Sequence, residues 1–97
     1  MNSVNPYEYG MPRDAANFQA LSPLSFLERA ASVYPQRLAL INGGLRQTWG
    51  ETYSRCIRLA SALAQRGIGL GDTVAVIAPN GPAMFEAHFG VPMCGAV

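Results

Sequence analysis

The run "TVAVIAP", from Thr73 to Pro79, constrains this chain more than any other stretch. It is continuously apolar and β-branched, without the polar alternation of a half-exposed strand, so it reads as a strand covered on both faces, as in parallel sheets. Such a strand needs neighbours on both edges. The sequence supplies one helical pattern before the run, one after it, and then "GAV", Gly95 to Val97, which opens a further strand. The order helix, strand, helix, strand from Trp49 onward is the crossover arrangement of an α/β fold with a largely parallel sheet. Each backbone group of that sheet left buried without a partner costs about 1–3 kcal/mol. The expectation is an α/β architecture cut short: an N-terminal helix, a short β-hairpin and an incomplete β/α parallel-sheet unit.

Residues 1–21 carry Pro6, Gly10, Pro12 and several asparagines without a sustained period, and read as a leader, looped or partly disordered. The structured portion is expected over residues 22–97. In "SPLSFLERAASVYP", Ser22 is placed as N-cap and Pro23 at the first helical position, where its missing N–H costs nothing. Phe26, Leu27, Ala30, Val33 and Tyr34 recur at helical spacing as a core face, and Pro35 marks the stop. Gly43 and Gly44 split "LALINGGLRQTW" into two short strands of a hairpin. Thr48 and Glu51 match a capping box for a long helix whose apolar face includes Trp49, Tyr53, Cys56 or Ile57, Ala60, Leu63 and Ala64, ending with Gly67 at C′. After the buried strand, Asn80 is the expected N-cap and Pro82 lies in the first turn of a helix through Met84, Phe85, Phe89 and Val91, which Pro92 ends or kinks.

All seven basic residues are arginine, and the absence of lysine excludes Schiff-base chemistry or a phosphate-gripping amine within these 97 residues. The net charge of +1 comes from mixed, scattered charges, so there is no basic stripe for nucleic acid. No apolar run reaches the ~18 residues needed to span a bilayer, and "MNSVNPYEYGMPRD" lacks the charged start and apolar run of a secretory leader, so cytoplasmic is the default expectation. Cys56 and Cys94 fit neither a close-spaced metal pair nor a disulfide framework and read as reduced core thiols.

Three stretches invite a site. "GIGLGD", Gly67 to Asp72, has alternating glycines but ends a helix and enters a strand, the reverse of a dinucleotide loop, so it reads as a cap and turn with Asp72 as a turn residue. "APNGPAM" has the right order, strand to helix, and would place Asn80 and Gly81 where free helical N–H groups face an anion, but the plainer reading is an ordinary cap. His88 has no second histidine and no nearby nucleophile in sequence, and reads as structural. Trp49, Phe26 and Tyr53 read as core.

From about Ala15 to Val97 the chain resembles the N-terminus of AMP-forming acyl-CoA synthetases. The resemblance is carried by "ANFQALSPLSFLERAASVYPQRLALINGG", "TWGETYSRCIRLASALAQRGIGLGDTVAVIAPN" and "MFEAHFGVPMCGAV". The nearest subgroup is the fatty-acid, medium-chain-like ligases and plant acyl-activating enzymes. The resemblance implies a two-step ligase that uses ATP, Mg2+ and coenzyme A. A carboxylic acid is joined to AMP with release of pyrophosphate, and the CoA thiol then displaces AMP. It also implies that the catalytic lysines and the phosphate loop lie outside this stretch, so no catalytic, cofactor-binding or metal-binding residue is assigned here, and the segment alone is expected to be inactive. Some relatives carry a C-terminal peroxisomal signal. The rival reading is a small non-enzymatic module that pairs its open sheet edge with a partner.

Overall fold

In the computed structural model, which describes residues 5–7, 9–10, 12–16 and 18–97, every helix start is set by a local signal. Helix α1 runs Pro23–Val33, with Ser22 Oγ accepting from the Leu24 N–H at 3.2 Å and proline in the first turn. The hairpin follows as β1, Leu38–Asn42, and β2, Leu45–Thr48. Helix α2 spans Trp49–Gln65 and α3 Pro82–Met93. Among the described residues before Leu21 there is no helix or strand, and Arg13 lies over the Phe18 ring at 4.9 Å. The part of the expected leader at residues 1–4, 8, 11 and 17 lies outside the described residues.

The two hairpin strands pair antiparallel, Asn42 opposite Leu45, with a register shift between Leu38 and Leu40. Of the two turn glycines only Gly43 has positive φ, +59°, which is the sign pattern of a II′ turn, where the first central residue alone requires glycine. The hairpin delivers the chain directly into α2. There the Trp49 and Gly50 N–H groups donate to the carbonyls of Arg37 and Pro35, at 2.9 and 3.0 Å, and the Glu51 N–H donates to Thr48 Oγ1 at 3.2 Å. Three of the four donors that a helix start leaves without partners are thereby satisfied. The Thr48 hydroxyl donates in turn to the Glu51 carboxylate at 3.0 Å, a variant of the expected capping box.

Helix α2 ends as a Schellman motif around Gly67, φ +80°: the Gly67 N–H donates to the Ala64 carbonyl and the Ile68 N–H to that of Leu63. Asp72 closes the next turn, accepting from the Gly69 N–H at 2.8 Å while its own N–H donates to the Gly69 carbonyl. Helix α3 ends against that turn. Gly95 has φ +93°, and a Cβ there would stand 3.2 Å from the Leu70 nitrogen.

The contact of these two exits sets up the sheet. The Val97 N–H donates to the Asp72 carbonyl at 2.9 Å and the Val74 N–H to the Val97 carbonyl at 2.8 Å, the slanted pair that starts a parallel ladder. The expected strand from Thr73 to Pro79 goes no further. Apart from the Val74 bond, no backbone N–H from residue 73 to residue 80 has a backbone partner among the described residues, and Ile77 is 101% exposed. A strand is defined by its neighbours, and this segment has only the tip of one. The observed fold class is mixed α/β, with one two-stranded antiparallel sheet among the described residues.

The core is small and lies where α2 crosses α3. Ala87, Val91 and Ala96 are buried, with Leu63, Ile68, Val74 and Cys94 packed around them. Gly90 lets the helices approach so closely that a Cβ on it would meet Leu59 Cδ2 at 2.5 Å and Cγ at 2.8 Å. On α1 only Leu27 is buried, at 2% exposure, whereas Phe26 is 57% exposed and so is not core here; Val33 and Tyr34 are also exposed. Trp49 and Tyr53 are half-buried. The radius of gyration, 17.6 Å, exceeds the roughly 13 Å of a compact domain of this length, in keeping with so little enclosed surface.

One further sequence expectation is corrected. The N-cap of α3 is Gly81, not Asn80, and it offers no side-chain cap. Pro92 lies inside the last turn of α3, where it has no N–H to give the His88 carbonyl, and the helix ends one residue later, at Met93.

Candidate functional site

Two places gather polar side chains. The first is the strand-to-helix loop singled out in the sequence. Asn80 and Gly81 stand at the start of α3 beside Asn42 of the hairpin, whose amide nitrogen is 3.4 Å from where a Gly81 Cβ would be. Together with Leu40, Phe85 and His88 they line an open hollow of about 310 Å³. His88 is exposed, and its Nδ1–H donates to the Met84 carbonyl one turn back at 2.8 Å, a local anchor that fits the structural reading.

The second place was not singled out by sequence. Glu86, 5% exposed, points from α3 into the junction between hairpin and helices. Its Oε1 accepts from Arg55 Nε of α2 and from Gln47 Nε2 of β2, the latter at 3.2 Å, and Gln47 Nε2 also donates to Thr52 Oγ1 at 2.8 Å. Gln47 and Thr52 are buried as well, and no buried side-chain polar atom among the described residues lacks a hydrogen-bond partner. The hydrogen bond from Arg55 and the charge of Glu86 hold the guanidinium above its ordinary pKa. The arginine is 49% exposed, so solvent screens the pair.

Cys56 lies beside this cluster, fully buried, its thiol directed at the Glu86 carbonyl at 3.7 Å. Burial first, then the Glu86 carboxylate, pushes the thiol up to about 11, with Arg55 pulling the other way. It is therefore a protonated thiol at neutral pH rather than a nucleophile. With its partners all supplied by the fold, the Glu86 cluster is a clamp that ties β2, α2 and α3 together. The signal available in sequence was a carboxylate set among apolar residues of a helix, Phe85 and Ala87 on either side; its partners were not visible there. Among the described residues no three His, Cys, Asp or Glu side chains form a metal-ligating group.

The comparison with known families decides what this arrangement is part of. The family model described as "AMP-binding enzyme" matches residues 27–97. This chain belongs to the AMP-binding enzyme family. As a family member it is 64% identical over 87 residues to "Acetate/butyrate--CoA ligase AAE7, peroxisomal" of Arabidopsis thaliana, covering 90% of this chain and 15% of that protein. It is 61% identical, with the same coverage, to "Acetate--CoA ligase CCL3" of Humulus lupulus. Among solved structures it matches the unliganded O-succinylbenzoate coenzyme A synthetase (MenE) of Bacillus subtilis, with a TM-score of 0.69, 30% identity, and coverage of 73% of this chain and 16% of that one. The AMP-binding segment described here thus spans about one seventh of the length of the curated relatives it matches.

Proposed function

We propose that this chain forms the opening part of the large domain of an AMP-forming, short-chain carboxylate–CoA ligase. The parent enzyme couples a carboxylic acid to ATP, giving an acyl-adenylate and pyrophosphate, and then passes the acyl group to the thiol of coenzyme A with release of AMP. The observation that carries this reading is the family match over residues 27–97 combined with 64% identity to a ligase named for acetate and butyrate. The same relative's name supports a peroxisomal site of action for the parent; among the described residues no helix is long and apolar enough to cross a membrane.

The residues present do not fit ATP or Mg2+. There is no lysine, the described residues offer no metal-ligating group, and the one strand-to-helix loop of suitable order starts α3 with a glycine cap and a proline. No step of the reaction is therefore routed through residues of this chain, and its part in the parent is to build the first helices, the hairpin and the start of the parallel sheet. By itself it is inactive. The test is carboxylate-dependent exchange of pyrophosphate into ATP. The expected result is none for residues 1–97, and exchange by the complete parent enzyme. Exchange, or micromolar ATP affinity, by the 97 residues alone would overturn the proposal.

A second reading is favoured by one observation, the backbone between Ala75 and Asn80, which has no backbone partner among the described residues and which a non-enzymatic module would use to accept a partner strand. A single monomeric or dimeric species in size-exclusion chromatography, with no dye-binding apolar surface, would bring it forward.

A further inference from the structure

The chain holds two Asn-Gly dipeptides, Asn42-Gly43 at the hairpin turn and Asn80-Gly81 at the start of α3, and the fold brings them to the two sides of one hollow. Asparagine is among the chemically labile side chains, and a following glycine, lacking a Cβ, lets its own backbone nitrogen approach the amide carbon of the asparagine. Both asparagines are exposed. Their backbones differ. Asn42 is held in the ladder opposite Leu45 and leads into a two-residue turn, so its backbone is less free to adopt the geometry that ring closure needs. Asn80 has no ladder, and the segment leading into it is unpaired. Neither its amide nor the Gly81 N–H makes a hydrogen bond among the described residues.

We infer that Asn80-Gly81 is a site of spontaneous deamidation, and that the reaction places a negative charge one residue before the N-cap of α3. The Gly81 nitrogen attacks Cγ of Asn80. An N–Cγ bond forms, the Cγ–Nδ2 bond breaks, and the amide nitrogen leaves as ammonia, carrying the proton given up by Gly81. Water then opens the succinimide ring at either carbonyl, leaving aspartate or isoaspartate. The net change is gain of water and loss of ammonia, with no oxidant or reductant. The product is favoured by its surroundings: α3 starts at a glycine with no side-chain cap and has no acidic residue in its first turn, so the positive end of its dipole stabilises a carboxylate at residue 80. At Asn42 the product has no helix start of its own, and the isoaspartyl form adds a backbone atom within the hairpin register.

This inference concerns the 97 residues by themselves, in which the segment before Asn80 is unpaired, and its test does not read ligase activity. The experiment is timed incubation of the folded chain at mildly alkaline pH, followed by proteolysis and mass spectrometry of the peptides containing residues 42 and 80, with isoaspartate scored separately. Residue 80 is expected to convert several-fold faster than residue 42. G81A is expected to suppress conversion at 80 and leave residue 42 unchanged; this substitution is tolerated, since Gly81 has extended φ and the nearest atom to the added methyl is 3.4 Å away. N80D is expected to raise the helix signal of α3 in far-ultraviolet circular dichroism. Faster conversion at residue 42, or no conversion at residue 80, overturns the inference. Equal rates at both sites also overturn it, because the fold would then contribute nothing to the choice.

Discussion

Replacing Gly90 with alanine sets two known effects against each other at one atom. In the middle of a helix the exchange gains about 1 kcal/mol of helix propensity. Here the new methyl would sit 2.5 Å from Leu59 Cδ2, 2.8 Å from its Cγ and 3.0 Å from its Cβ. The first two contacts belong to a side chain that can turn; the third is fixed to the α2 backbone, so helices α2 and α3 must separate. Overpacking of this kind costs about 1–3 kcal/mol. The expected net effect of G90A is therefore a loss of up to about 2 kcal/mol, with α3 amides exchanging faster. Shortening Leu59 removes the two closest atoms, so the double variant G90A/L59A should be more stable than the sum of the single effects by about 0.5–3 kcal/mol. Urea titration followed by circular dichroism for the four proteins closes the cycle. A G90A protein that gains its full propensity term, with effects additive within about 0.5 kcal/mol, would show that the close approach of α2 and α3 does not exist in solution.

Four other expectations follow from the cluster and caps. Glu86→Ala should cost about 1–3 kcal/mol, because it leaves Gln47 buried beside an empty acceptor site, whereas Arg55→Gln should cost less than about 1 kcal/mol, since the arginine is half in solvent; unfolding titrations that reverse this order would refute the clamp. Cys56, with its thiol raised to about 11 in the folded chain, is expected to resist alkylation at neutral pH until the chain is unfolded. Because the folded state keeps this proton longer than the unfolded one, stability should fall as pH rises from about 9 toward 11, and a flat profile over that window would contradict the burial argument. Thr48→Ala should cost about 1 kcal/mol through loss of the bond to the Glu51 N–H, measurable as reduced helicity of α2, with Thr48→Gly costing only a few tenths.

The sequence by itself determined those features whose partners lie within a few residues. Ser22, Thr48, Gly67 and Asp72 each act on backbone groups two or three residues away, so the residue type and its place beside an apolar run carry all the information. Family membership was legible for a related reason, since the order of these local signals along the chain is itself distinctive. What only the tertiary structure decided depends on distant residues. Glu86 meets Gln47 and Arg55 across 39 and 31 positions, and neither periodicity nor spacing encodes that meeting. Phe26 has the helical spacing of a core residue but is exposed, because burial belongs to the pair of surfaces and not to one helix. The run from Thr73 to Pro79 has the composition of a central strand, and its apolar residues create the demand for a sheet; a ladder forms only where a second backbone is present to accept and donate, which here is at Val97 alone.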